Sequence, residues 1–121
     1  MYRTIAALKT YFSGFGLPAY AKGSVPDDVT TPYIVFSAAV PNRDTPGSLY
    51  LQIWDRTTSN DLIIRKADEI TGDIGQCKNI PIEGGYVVIR PENSLIDIQV
   101  AGDFRYAYVN LTVSALHLPG I

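Results

Sequence analysis

Leu95-Ile96-Asp97-Ile98-Gln99-Val100-Ala101-Gly102-Asp103-Phe104-Arg105-Tyr106-Ala107-Tyr108-Val109-Asn110-Leu111-Thr112-Val113-Ser114-Ala115-Leu116 is the stretch that decides the fold. Apolar and polar residues alternate with period two on both sides of Ala101-Gly102-Asp103, so it reads as two strands joined by a turn. Ile96, Ile98 and Val100 share one face of the first strand. In the second, Arg105, Ala107, Val109, Leu111, Val113 and Ala115 alternate with Phe104, Tyr106, Tyr108, Asn110, Thr112 and Ser114. Fully extended, Phe104–Leu116 would span about 43 Å, more than the width of a chain this size. The strand is therefore expected to bend or project, and a projecting hairpin is a device for pairing with a neighbour.

Outward from the hairpin the same periodicities recur. Ser48–Asp55 is a strand with Leu49, Leu51 and Ile53 on one side and Tyr50, Gln52 and Trp54 on the other. Tyr33–Ser37 is a second strong strand. Ile80–Ile82 and Tyr86–Arg90 pair across Glu83-Gly84-Gly85, and Pro91-Glu92-Asn93 reads as another turn. Helical spacing appears twice. Ile5, Leu8, Phe12 and Phe15 form a stripe over 2–14, stopped by Gly14 and Gly16. Ile63, Ala67, Ile70 and Ile74 form another, entered from Thr57-Thr58-Ser59 and closed by Gly75. Residues 19–32 read as irregular, and Val40–Gly47, with two prolines, as a rigid exposed loop. The order α, β, β, α, β, β, β, β places one helix between strands, which disfavours extended parallel winding. The expected fold is α+β over 1–121 as one domain: a mixed, mostly antiparallel sheet, two helices packed on one face and a long C-terminal β-hairpin.

Composition narrows the function. Of 121 residues, 46% are hydrophobic and 18% charged, ordinary globular values. A net charge of −2 and a pI near 5.2 argue against an electrostatic grip on nucleic acid. The longest basic run is Arg65-Lys66. No segment approaches the roughly 20 apolar residues of a membrane span. The N-terminus has a charge inside its apolar run and reads as a helix rather than a signal peptide, so synthesis and folding in a cytoplasm are expected. One cysteine excludes an internal disulfide. The eight tyrosines suit half-buried strands and protein interfaces.

Catalytic groups are sparse. His117 sits just before a Pro119-Gly120-Ile121 end, without the positioned partner a general base needs, and reads as a solvated or locally packed residue. Cys77 has Lys78 beside it, but the single histidine is 40 residues away, so the thiol reads as structural. Asp27-Asp28 is turn chemistry, since adjacent carboxylates point apart and no metal-ligand spacing accompanies them. Gly14-Phe15-Gly16 follows no strand and is no phosphate cradle. Asn110-Leu111-Thr112 matches a glycosylation sequon in mid-strand and reads as chance. Trp54-Asp55-Arg56 is either an interface hot spot or a core tryptophan with a local ion pair. No enzyme activity, cofactor or metal site is expected.

Two blocks carry a resemblance. Leu17-Pro18-Ala19-Tyr20-Ala21-Lys22-Gly23-Ser24-Val25-Pro26-Asp27-Asp28 with Thr31-Pro32-Tyr33-Ile34-Val35-Phe36, and Leu51-Gln52-Ile53-Trp54-Asp55-Arg56-Thr57-Thr58-Ser59 with Lys66-Ala67-Asp68-Glu69-Ile70, resemble the small tail-terminator, or tail-completion, proteins of tailed bacteriophages and phage-like particles. Ile74-Gly75, the Gly84-Gly85 hairpin and the long C-terminal strand extend the likeness over nearly the whole chain. The resemblance implies a structural virion protein, made in the bacterial host cytoplasm. It would form a ring, commonly of six copies, on the head-proximal end of the tail tube, stop tube growth and offer a head-tail joining surface. Its partners would be itself, the tail-tube protein, a neck or head-completion protein and, in contractile systems, the sheath, with no specific nucleic acid and no membrane. Candidate interface residues are Arg43, Asp44, Trp54, Arg56, Arg105, Tyr106 and Tyr108, of which Arg43, Asp44, Arg105, Tyr106 and Tyr108 are expected to be exposed in the protomer and covered on assembly. The alternatives are another neck, connector or tail-tube component, or a small-molecule-binding domain using the tyrosine-rich face. A regulatory DNA-binding module would need a basic helix that this sequence lacks.

Overall fold

The computed structural model describes residues 2–39 and 46–117, without the side chains of 93–95 and 117. In chain order the elements are α1 (Tyr2–Ser13), β1 (Ala19–Ala21), β2 (Tyr33–Ala39), β3 (Gly47–Asp55), α2 (Asp61–Ile74), β4 (Lys78–Ile82), β5 (Gly85–Ala101) and β6 (Phe104–His117). The strands form one sheet in the order β1-β2-β3-β6-β5-β4. β1 runs parallel to β2 and every other neighbour is antiparallel. The fold is thus α+β with a mixed, mostly antiparallel sheet and a long C-terminal hairpin.

Period-two alternation sorts the side chains cleanly. Ile34, Phe36, Leu49, Leu51, Ile53, Ala107, Val109, Leu111 and Val113 all point to one face and are buried. Both helices lie on that face. α1 contributes Leu8 and Phe12, and α2 contributes Ile63, Ala67, Ile70 and Ile74, to one core cluster. Each of the leucines, isoleucines, valines and phenylalanines among them stabilises the fold by about 1.5–3 kcal/mol relative to leaving it in water. Helices of 12 and 14 residues are marginal alone, so docking on the sheet holds them. α2 ends as its sequence dictates: Gly75, at φ +58°, donates its N–H to Thr71 O at 2.9 Å. Its start is shifted. The N-cap is Asn60, while Ser59 Oγ accepts the Asp61 N–H at 3.2 Å.

Three expectations need correction. Residues 19–32 are not wholly irregular, because Ala19–Ala21 pairs with Ile34–Phe36 as an edge strand. Pro91-Glu92-Asn93 is not a turn. β5 runs unbroken from Gly85 to Ala101 and absorbs these residues as a register shift between Pro91 and Ile96. Finally, β6 does not project. It is an interior strand, paired with β3 from Arg105 to Val113 on one side and with β5 on the other. β5 matches its length, pairing with it from Phe104 to His117, and α1 packs over β1 and β2 and also reaches β4.

Polar pins fasten the helix layer. Tyr11 Oη donates to Asp73 at 2.5 Å, and Lys78 Nζ lies 3.3 Å from the same carboxylate and 5.6 Å over the Tyr11 ring. This ties α1, α2 and β4 together. Burial first, then the bond to Asp73, pushes the Tyr11 phenol above its ordinary pKa. The Tyr11 bond first, then Lys78, holds Asp73 below the usual carboxylate range. Lys66 Nζ donates to Phe15 O at 2.6 Å just beyond the end of α1.

Candidate functional site

With both helices on one face, the other face of the sheet carries no covering element among the described residues. It holds Tyr20 from β1, Tyr33 and Val35 from β2, Tyr50, Gln52 and Trp54 from β3, and Phe104, Tyr106 and Tyr108 from β6. Cross-strand register places these in contact: Tyr33 opposite Trp54, Trp54 opposite Tyr106, Gln52 opposite Tyr108. The rings form a ladder across four strands. Tyr20 and Tyr33 centroids are 6.4 Å apart. Trp54 stacks on Tyr33 at 6.5 Å with planes 10° apart, and on Tyr106 at 4.4 Å with planes 25° apart. Phe104 meets Trp54 edge-on at 6.2 Å, and the Arg56 guanidinium lies 5.7 Å from the Phe104 ring centre. A second pair, Tyr50 and Tyr108, stands 5.4 Å apart.

This geometry limits the chemistry. Trp54 is stacked between Tyr33 and Tyr106, so its faces are already used, and the other ring pairs meet edge-on or tilted. That suits a protein partner better than a planar ligand, which needs a free ring face. The Trp54 indole N–H donates to Gln52 at 3.3 Å. Burial, then Tyr50 and Tyr106, raises the Tyr108 phenol above its ordinary pKa. A shallow depression of about 220 Å³ lies beside the ladder, bordered by Lys22, Ser37, Tyr50 and Tyr108. It falls short of the roughly 300–1,000 Å³ usual for small-molecule sites.

The candidates read from sequence separate into groups. Trp54, Tyr106 and Tyr108 come together on the open face, each half-buried. Trp54 is thus neither a core residue nor an isolated hot spot but the centre of the ladder. Arg56 borders the ladder and pairs with Asp103 at 3.3 Å rather than with the neighbouring Asp55 carboxylate, which instead accepts the Arg56 backbone N–H at 2.8 Å. Arg105 points the other way. Its Nε donates to Thr57 O at 3.0 Å and its Nη1 to Asn60 at 2.9 Å, fixing the entry to α2. Arg43 and Asp44 lie outside the described residues. Sequence reading missed Tyr20, Tyr33, Tyr50 and Phe104. Their alternation with core residues was visible, but only the strand order shows that β2, β3 and β6 are adjacent.

Cys77 is exposed, with Sγ 3.5 Å from Asn79. Among the described residues no three His, Cys, Asp or Glu cluster as metal ligands, and no helix is long and apolar enough to cross a membrane.

No family model and no curated protein matches the chain. One solved structure, of a protein known by a bare sequence identifier, is similar over 98% of this chain and 94% of that one, with a TM-score of 0.66 and 13% sequence identity. At that identity the likeness shows the shared fold alone.

Proposed function

We propose that this chain is a structural assembly protein that forms a ring capping the head-proximal end of a phage or phage-like tail tube. It would end tube growth and form the surface to which the head or neck joins. The observation that carries this reading is the open aromatic face, a side of the sheet that no element covers among the described residues while both helices sit on the other. The sequence resemblance, spread over nearly the whole chain, supplies the identity of the assembly. In this reading the protein is not an enzyme, is made in the host cytoplasm and ends in the virion. Its partners are copies of itself, the tube protein, a neck protein and, in contractile tails, the sheath. Capping works by complementarity: one axial surface matches the last tube subunits and the other lacks the next docking surface.

The test is tail length by negative-stain electron microscopy after deletion of the gene from its phage or prophage. Headless tubes of variable, excessive length are expected. Tails of normal length would overturn the reading, and tails of correct length that fail to join heads would move the protein to a connector role.

A further inference from the structure

The two outer margins of the sheet are both partly unpaired. β4 covers β5 only over Gly85–Ile89. Past the register shift, Ile96–Ala101 pairs with β6 on one side and, among the described residues, has no strand on the other. At the opposite margin β1 pairs with β2 alone. We infer that the free half of β5 is the seat for β1 of a second copy of this chain, added antiparallel and head-to-tail. The inference takes from the proposed function only that the chain assembles with itself.

Four observations carry it. The first is strand direction. β5 opposes β6, β6 opposes β3 and β3 opposes β2, while β1 runs with β2. A neighbour related by rotation about an axis along the strands therefore presents β1 antiparallel to β5. The second is backbone orientation. The two-residue turn Gly102-Asp103 closes on the pair Ala101–Phe104. By antiparallel alternation, the N–H and C=O groups of Ile96, Ile98 and Val100 then point to the free margin. This segment has no lysine and no proline to guard it. Val100 is 61% and Ile96 38% exposed. Ile64, 40% exposed, lies on the flank of α2 opposite Lys66 and Asp73, the residues that tie α2 to α1.

The third is matching rows. Across the sheet Ala19 lies level with Ile98, Tyr20 with Asp97 and Ala21 with Ile96. An unshifted junction sets small alanines against the two isoleucines on the helix side. On the open side it sets the Tyr20 hydroxyl against the Asp97 carboxylate. The fourth is charge. Lys22, at the end of β1, has no ion pair among the described residues, and Asp97 holds only the Gln99 amide. In this register Lys22 falls diagonal to Asp97 on the same face. A β1-to-β5 contact is heterologous, the kind that closes into a ring.

Oxidative cross-linking of the concentrated purified chain tests this. In a Cys77→Ser background, Tyr20→Cys and Asp97→Cys together should give covalent dimers, trimers and higher multimers, and neither substitution alone should cross-link. Ile96→Pro removes the outward N–H that faces Ala21 of the second copy, without touching the β6 ladder. It should leave near-ultraviolet circular dichroism unchanged and abolish the multimers. Dimers from Asp97→Cys alone would overturn the inference in favour of a two-fold β5–β5 contact, and absence of any multimer would overturn it outright. Multimers together with normal tails in the deletion strain would sink the capping role alone. Overlong tails without multimers would sink the edge pairing alone.

Discussion

Replacing Trp54 with alanine separates the two faces of β3 energetically. The indole is half-covered, with Tyr106 at 4.4 Å, Phe104 at 6.2 Å and Tyr33 at 6.5 Å. A covered aromatic buries about 150–250 Å². Half of that, at about 25 cal/mol per Å², gives a loss of about 2–3 kcal/mol. No cavity term is added, because water reaches the vacated site. Leu51, three residues earlier on the opposite face, is 0% exposed, and Leu51→Ala should cost about 3–5 kcal/mol because a void remains beneath the helices. The sharper quantity is the coupling. Trp54→Ala and Tyr106→Ala share a stacked pair, so the double variant should be less destabilised than the sum of the singles by about 1 kcal/mol. Urea unfolding of the four proteins, with unchanged m-values, reads this directly. Zero coupling would refute the stacked ladder. A Trp54→Ala cost of 5 kcal/mol or more, on the order of full core truncation, would refute the open face.

Three further outcomes follow from local geometry. Tyr11 has its pKa raised and Asp73 its pKa lowered. The Tyr11 contribution is therefore complete below pH about 10 and fades as pH rises further. That of Asp73 is complete above pH about 4 and fades as pH falls through its depressed value. Tyr11→Phe should flatten the alkaline limb of the stability profile and narrow the acid limb, and an unchanged profile would show that the contact is idle. Gly72 lies within α2 with open space around it, so Gly72→Ala should stabilise by about 0.5–1 kcal/mol. Gly75→Ala, at φ +58° and equally uncrowded, should destabilise by about 1–3 kcal/mol from backbone strain alone, and equal signs for the two in thermal melts would contradict the C-cap geometry. Arg105→Lys keeps the charge but loses the fork to Thr57 and Asn60, so it should lower protomer stability by about 1–2 kcal/mol. If it instead leaves the melt unchanged and weakens only assembly, Arg105 is an interface residue and not a brace for α2.

Local pattern made the elements legible and left their neighbours obscure. The stripes Leu8–Phe12 and Ile63–Ile74 predicted both helices because 3.6-residue spacing is written along one segment. Period two likewise predicted which residues of β3 and β6 face the helices. β1 escaped because three residues are too few for alternation to register, and its pairing is with Ile34–Phe36, contributed by another stretch of chain. The Pro91 segment escaped for a related reason: proline and asparagine signal a turn, yet a bulge uses the same residues while the strand runs on. The open face was half-legible. Tyr106 and Tyr108 stood out, but nothing in the sequence states that β6 lies beside β3, and without that adjacency Tyr33, Trp54 and Phe104 do not assemble into a ladder.

The two faces of this sheet divide the work of stability and contact. On the helix side aliphatic residues are sealed, and their burial belongs to the protomer. On the open side Trp54 is stacked between Tyr33 and Tyr106 and its neighbours pack edge-on or tilted, which lowers the exposed apolar area before any partner arrives. A partner laid on the ladder therefore removes little fresh apolar surface. It gains from excluding water around ring edges and from bonds to tyrosine hydroxyls, contacts that reward fit more than area. The unpaired margin of β5 has the opposite character. Its outward backbone groups have no strand partner among the described residues and Ile96 and Val100 are exposed, so a strand seated there adds ladder bonds and apolar cover. In the proposed ring, lateral cohesion then comes from the margins, which are the same in every copy. With the strands along the ring axis the open face looks across that axis, so the ladder is left for a partner that lies against the wall of the ring. Ile96→Pro and Trp54→Ala should accordingly fail differently, the first by losing the ring and the second by forming rings that no longer dock.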